Sequence, residues 1–79
     1  MPDYQIEIHY GADEPIRIPL RDYEPEDAES ERQSIVQQVE RAQSLDAPLI
    51  ITDLEHGGPL DDELAIPVHG VTEVDLVEA

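Results

Sequence analysis

Three histidines, His9, His56 and His69, are the residues of this chain best suited to metal chemistry. Imidazole nitrogens and carboxylates together bind zinc or iron. The three lie far apart in the sequence, and none has a second histidine four residues away, the spacing that puts two imidazoles on one helix face. The spacing therefore predicts no metal site and no cofactor, and we expect three surface histidines.

The segment DLEHGGPLDDE, residues 53–63, is a second candidate, because it combines glycines with carboxylates. Carboxylate oxygens are hard ligands that suit Ca²⁺ or Mg²⁺. The acids miss the alternating positions of an EF-hand loop, and Pro59 interrupts the segment. We expect a solvated hairpin loop. A divalent-cation-binding or catalytic module that uses this loop and His56 stays open as an alternative.

Residues for catalysis are harder to find. Adjacent acids such as Asp61 and Asp62 arise by chance at this acid content, and nothing indicates a buried pair with separate acid and base roles. The chain has no cysteine. Its serines, Ser30, Ser34 and Ser44, fall in a predicted helix and have no histidine nearby in sequence. We therefore expect that the protein is not an enzyme.

The segment DYEPEDAESE, residues 22–31, is uninterrupted by a basic residue. It holds six acids, which we predict as a partner-binding surface: Asp22, Glu24, Glu26, Asp27, Glu29 and Glu31. The dipole of the helix that follows favours acids at its start by about 0.3–1 kcal/mol each, but the effect fades within one turn. The alternative is that Asp27, Glu31 and the other helix acids form an ordinary solvated face.

The overall charge narrows the possible partners. The 79 residues include 20 acids against 4 basic residues, all arginine, for a net charge of −16. Such a charge repels DNA, RNA and anionic membranes, and attracts a basic protein or a cation. It also repels itself, and about 1 M salt removes most of that repulsion. The composition thus fits a halophilic, salt-adapted protein or a specialised acidic protein with a basic partner.

The compartment follows from what the sequence lacks. Without cysteine there are no disulfides and no thiolate metal sites. No apolar run approaches the roughly 20 residues of a membrane span. The first residues, MPDYQIEIHY, show neither a basic region nor an apolar core of a signal peptide. We expect a soluble, cytoplasmic protein.

The elements that must position these residues begin with a β-hairpin. Residues 4–10 and 16–20 each alternate between apolar and polar positions, which is typical of half-buried strands. The inward-facing positions are Tyr4, Ile6, Ile8, Tyr10, Ile16, Ile18 and Leu20. Pro19 lacks an amide donor, so the second strand belongs at a sheet edge.

A helix follows the hairpin. Apolar residues form one stripe at helical spacing: Ala28, Ile35, Val39 and Ala42, widened by Val36 and Leu45. Pro25 suits the first turn, although the capping-box sequence SERQ permits a later start at Ser30. The helix should end near Asp46, before Pro48.

Three strands complete the chain. Residues 48–54, PLIITDL, form a nearly continuous apolar run, which predicts a central strand covered on at least one face. Residues 55–62 are predicted as a loop. Residues 63–68 and 72–78 alternate as strands, with a short bend at 69–71.

The resulting order is ββαβββ. It predicts a single acidic α+β domain over residues 1–79, with an antiparallel or mixed sheet and one helix packed on one face. The order resembles that of β-grasp folds, a likeness of element order from which no function follows.

Our first hypothesis is a small non-enzymatic domain that acts through protein–protein contact, either with a basic protein or with itself as a homodimer or larger homo-oligomer. The alternative is a nucleic-acid mimic that inhibits a basic DNA- or RNA-binding protein. In composition the chain resembles phage-encoded anti-defence inhibitors and some antitoxins. The cation-binding module described above is the second alternative.

Overall fold

The computed structural model describes residues 3–12, 14–55 and 57–79, and its elements follow the predicted order. The bounds are β1 Tyr4–Tyr10, β2 Ile16–Leu20, α1 Pro25–Leu45, β3 Leu49–Leu54, β4 Gly58–Ile66 and β5 Val71–Glu78, with a 3₁₀ helix at Val68–Gly70. The α+β class and the ββαβββ order are confirmed. No helix in these ranges is long and apolar enough to cross a bilayer.

The strands form two antiparallel ladders. The first is three-stranded, in the order β2-β1-β5, and the second pairs β3 with β4. Ile6 of β1 lies opposite Ile18 of β2 and Leu76 of β5, so the three apolar faces coincide. Strand β2 lies at an edge, as Pro19 predicts.

The prediction of a central third strand is wrong. Within the described residues β3 pairs with β4 alone. One of its faces contributes Ile51 and Leu54 to the core, whereas Ile50 on the other face is 53% exposed. A continuous apolar run indicates a strand that is buried on both faces. No described element of the chain covers the second face of β3.

Helix α1 begins at Pro25, with Glu24 as its N-cap, so the later start at Ser30 is not used. It ends where Asp46 takes a left-handed conformation, with φ of 52°, and the Asp46 amide bonds back to the last turn. Leu45, predicted to widen the apolar stripe, is 65% exposed because it is the last helical residue, where the chain turns away.

The core forms where α1 meets both ladders. Its buried apolar residues are Ile6, Ile8, Ile18, Leu20, Tyr23, Ala28, Ile35, Val39, Ala42, Ile51, Leu54, Ile66 and Val68. The predicted stripe of the helix is confirmed in its four main positions. Tyr23, in the connection before the helix, supplies the one aromatic ring of this buried set.

The predicted loop at 55–62 is shorter in the structure. Strand β4 already starts at Gly58, whose φ of +76° turns the chain into the strand, and Leu54 pairs with Gly58. The turn residues therefore occupy only the first part of the predicted loop, and Asp61 and Asp62 lie on a strand.

Candidate functional site

The acidic segment 22–31 divides into exposed and buried carboxylates. Four of its acids are exposed, and we call them the acidic helix start: Asp22, Glu24, Glu26 and Asp27. Glu31, in contrast, is only 2% exposed. It follows Ala28 by three residues and precedes Ile35 by four, so it lies on the stripe that faces the core. The expectation that Glu31 belongs to a solvated face is wrong, and it is inaccessible to a partner.

Glu31 joins three parts of the chain. Its Oε2 accepts a hydrogen bond from the Tyr23 hydroxyl at 3.3 Å, and its Oε1 accepts one from the Glu55 amide at 2.8 Å. Tyr23 precedes the helix, and Glu55 follows β3. A buried carboxylate is tolerated when its oxygens are satisfied in this way. The network therefore fixes the acidic helix start against the turn between β3 and β4.

The buried phenol of this network is a weak acid. Burial raises the pKa of Tyr23 to about 12, and the negative charge and hydrogen bond of Glu31 act in the same direction. Asp27 and Glu55 add smaller repulsions. The Glu55 amide bonds to Glu31, which follows Asp27 by one helical turn, so the exposed residue Glu55 lies beside the helix start.

The acidic helix start is not neutralised by any cation among the described residues. Glu26 and Asp27 lie in the first helical turn, where the helix dipole favours them. Glu24 makes no side-chain cap hydrogen bond. Among the residues that the structure describes, none of the four acids takes part in an ion pair. These carboxylates face solvent.

Two arginines are engaged with other acids. Arg32 Nε donates to Glu29 at 2.9 Å, one turn along the helix, and this hydrogen bond lowers the pKa of Glu29. Arg17 Nε lies 3.1 Å from Glu7 Oε2, across the β1–β2 pair. Glu29, a predicted partner-binding residue, is thus half-buried and paired, and we leave it out of the acidic helix start.

The carboxylates of residues 53–63 do not gather around one point. Asp61 and Asp62 lie on β4, where they line a cleft of about 400 Å³ together with Arg17 and Arg21. His56 lies outside the described residues. In the part of the chain that is described, the carboxylates of this segment form no group of three that could hold a metal ion.

The remaining histidines have acidic neighbours. His69 Nε2 lies 2.7 Å from Asp46 Oδ1, and both side chains are exposed. His9, on the outer face of β1, lies beside Glu7 and Asp75, with Glu73 opposite it on β5. No pattern in the sequence indicates this cluster, because residues more than sixty positions apart meet only through the β1–β5 pairing.

The three serines occupy the helix, as predicted. Ser34 accepts a hydrogen bond from Gln38 Nε2 at 3.3 Å, a contact between successive turns. Ser30 and Ser44 are exposed.

The comparisons with known proteins add no assignment: no protein-family model, no curated protein and no solved structure matches the chain.

Proposed function

We propose that this chain is a small non-enzymatic domain that works in the cytoplasm by binding a basic protein through the acidic helix start. The observation that carries the proposal is the contrast between two sets of acids. Four carboxylates, Asp22, Glu24, Glu26 and Asp27, face solvent without an ion-pair partner among the described residues. Glu31, directly beside them, is buried and hydrogen-bonded.

The buried network anchors the backbone that carries the exposed acids. Glu31 accepts hydrogen bonds from the Tyr23 hydroxyl and from the Glu55 amide. The backbone from Tyr23 to Glu31 is therefore anchored to the end of β3 before a partner binds. A surface that is already ordered loses little conformational entropy on binding. Its charge speeds association with a basic partner and selects against acidic ones. We therefore expect affinity that falls as salt rises.

Self-association is a separate part of the proposal. Two copies of the acidic helix start repel each other, so a homodimer would use another surface of the domain. Among the described residues, Leu45 and Ile50 are the large apolar side chains that stay exposed, and they are the residues to substitute first if the protein is dimeric. Sedimentation at several protein concentrations gives the oligomeric state.

Nucleic-acid mimicry remains the second candidate. It is favoured by the position of the exposed residue Glu55, whose amide bonds to Glu31 one helical turn after Asp27, since a mimic needs carboxylates spread along a surface as phosphates are. A mimic should displace duplex DNA from a basic DNA-binding protein. An acidic domain with an unrelated partner should leave that complex intact.

The test is a matched pair of charge-reversed variants. The first carries Glu24→Arg, Glu26→Arg and Asp27→Arg. The control reverses three exposed acids elsewhere and has the same net charge: Glu40→Arg, Asp53→Arg and Glu63→Arg. Glu31 stays unchanged in both, because replacing a buried residue with arginine would disturb the fold.

Binding is measured by fluorescence anisotropy with an arginine-rich peptide, at KCl concentrations from about 0.05 to 0.5 M. We expect the first variant to lose at least about tenfold in affinity and the control to lose clearly less, with circular dichroism showing both folded. Equal losses would mean that only the total charge matters, and the assignment to the acidic helix start would be wrong.

A further inference from the structure

The outer face of the three-stranded sheet brings together one imidazole and several carboxylates. Donor atoms of His9, Glu73 and Asp75 all lie within 4.8 Å of one another. The β1–β5 pairing causes this, because His9 lies opposite Glu73 and Glu7 lies opposite Asp75. Side chains on one face of an antiparallel pair are close enough to share a ligand. Unlike the acidic helix start, this cluster contains a nitrogen donor.

The Nε2 atom of the His9 ring lies near two carboxylates. This Nε2 lies 3.3 Å from Asp75 Oδ2 and 3.7 Å from Glu7 Oε1, yet it makes no hydrogen bond to any described residue and is itself buried, although the side chain is 36% exposed. A buried polar atom that has acidic neighbours but no hydrogen bond calls for an explanation. Two donors on one tetrahedral zinc ion, each bonded at about 2.0–2.2 Å, lie about 3.3–3.6 Å apart. The His9–Asp75 distance is therefore that of neighbouring metal ligands.

Glu7 is a possible fourth donor, and neighbouring side chains orient its carboxylate. Glu7 Oε2 is taken by Arg17 Nε at 3.1 Å and by Gln5 Nε2 at 3.2 Å. These contacts orient the carboxylate, and its Oε1 is left on the side of His9. Hydrogen bonds to the second oxygen of a ligand are the usual way in which a protein aims a metal-binding carboxylate.

We propose that His9, Glu73 and Asp75, with Glu7 as a fourth donor, bind a divalent transition-metal cation, for which Zn²⁺ is the best match. Carboxylates alone would suit Ca²⁺ or Mg²⁺, but an imidazole in the set favours Zn²⁺. Glu73 is exposed, so its side chain has room to change rotamer when a cation binds.

Such an ion would cross-link β1 to β5 and offset carboxylate repulsion at one place on a very acidic protein. Strand β5 pairs with β1 alone among the described residues, so the ion would strengthen the attachment of an edge strand. A metal that binds the folded chain stabilises it by mass action. The role is structural and independent of the proposed contact through the acidic helix start.

The first experiment measures Zn²⁺ affinity by calorimetry for the full chain, for His9→Gln and for the control His69→Gln. The control also removes an imidazole that lies beside a carboxylate, Asp46, but one that has no second acid in reach among the described residues. We expect His9→Gln to lose about tenfold or more in Zn²⁺ affinity, and His69→Gln to bind as the parent does. Equal behaviour of the two variants would overturn the proposal.

A second measurement does not depend on how the variants fold. Mn²⁺ is added in small amounts to the unmodified protein, and the broadening of its backbone amide signals is mapped by NMR. The proposal expects broadening centred on His9, Glu73 and Asp75, relieved by Zn²⁺ but not by an equal concentration of Ca²⁺. Broadening spread over the acidic surface, or relieved equally by Ca²⁺, would mean adventitious binding only and would refute the site.

Discussion

The Tyr23 hydroxyl donates a hydrogen bond to the carboxylate of Glu31 across 3.3 Å, and both side chains are buried. An acid is thus placed in the core of a protein that already has a net charge of −16. The arrangement is stable because the same carboxylate also accepts the Glu55 amide. This one side chain connects three segments that are separate in the sequence. Substitutions in the network should therefore have measurable effects on stability.

Alkaline pH should weaken the fold through Tyr23. Its pKa is raised to about 12 in the folded protein, from about 10 in the unfolded chain. Above pH 10 the unfolded chain releases this proton while the folded protein retains it, so the free energy of unfolding falls by at most about 1.4 kcal/mol per pH unit up to pH 12. Urea unfolding of the parent and of Tyr23→Phe between pH 9 and 12 checks this.

The Tyr23→Phe variant should be less stable at neutral pH by about 1.5–3 kcal/mol, because a hydrogen bond to a buried charge is lost. Its additional loss between pH 10 and 12 should be smaller than that of the parent. Tyr10→Phe, at the partly exposed end of β1, is the control and should keep the parent's pH profile. If Tyr23→Phe keeps the full alkaline loss, Tyr23 is not its source.

Glu31 should be the acid that the fold cannot lose. In Glu31→Gln one carboxylate oxygen becomes an NH₂ group, which cannot accept a hydrogen bond from the Tyr23 hydroxyl or the Glu55 amide. We expect a loss of about 1–3 kcal/mol in the free energy of unfolding. Glu26→Gln removes the same charge from an exposed position and should change stability by less than about 0.5 kcal/mol. Equal effects would contradict the buried network.

The sequence predicted the parts of the fold that depend on local pattern. Alternation located β1 and β2, Pro19 placed β2 at an edge, Pro25 was one of the two helix starts that the sequence left open, and the helix ends near Asp46 as expected. These predictions succeed because side-chain periodicity and backbone restrictions act over a few residues.

The errors have identifiable physical causes. Glu31 lies in phase with Ala28 and Ile35, so helical spacing already indicated a buried position, but its charge argued for solvent. The hydrogen-bond partners Tyr23 and Glu55 decide whether Glu31 is buried or exposed, and both lie outside the helix. The His9 cluster likewise requires the β1–β5 register, which no local pattern specifies.

Gly57 should resist substitution because of Tyr23. A Cβ at this position would lie 2.6 Å from the Tyr23 hydroxyl and 3.0 Å from Leu54 Cδ1. Gly57→Ala must therefore push the hydroxyl off Glu31, and we expect a loss of about 1–3 kcal/mol in the free energy of unfolding. Gly70→Ala is the matched control, since its nearest contact is an ordinary 3.8 Å, and it should change stability little.

A double-mutant cycle shows whether a clash with the Tyr23 hydroxyl causes the loss of stability in Gly57→Ala. In the Tyr23→Phe background the closest atom is gone, so Gly57→Ala should cost less there than in the parent. The same cost in both backgrounds would place the clash at Leu54 instead.

Salt should stabilise the protein strongly. From about 0.05 to 3 M KCl the Debye length falls from over 10 Å to below 3 Å, so repulsion among exposed carboxylates is screened over this span. We expect the melting temperature to rise steeply up to about 1 M and then to flatten. The effect should be smaller in a variant with the acidic helix start neutralised, which carries Asp22→Asn, Glu24→Gln, Glu26→Gln and Asp27→Asn.

A protein unfolded at low salt and rescued by KCl would have a surface shaped mainly by a salt-rich environment. A melting temperature that hardly changes would contradict the prediction: the fold would then tolerate its charge without screening, and selection of a basic partner would be the better explanation for the exposed acids.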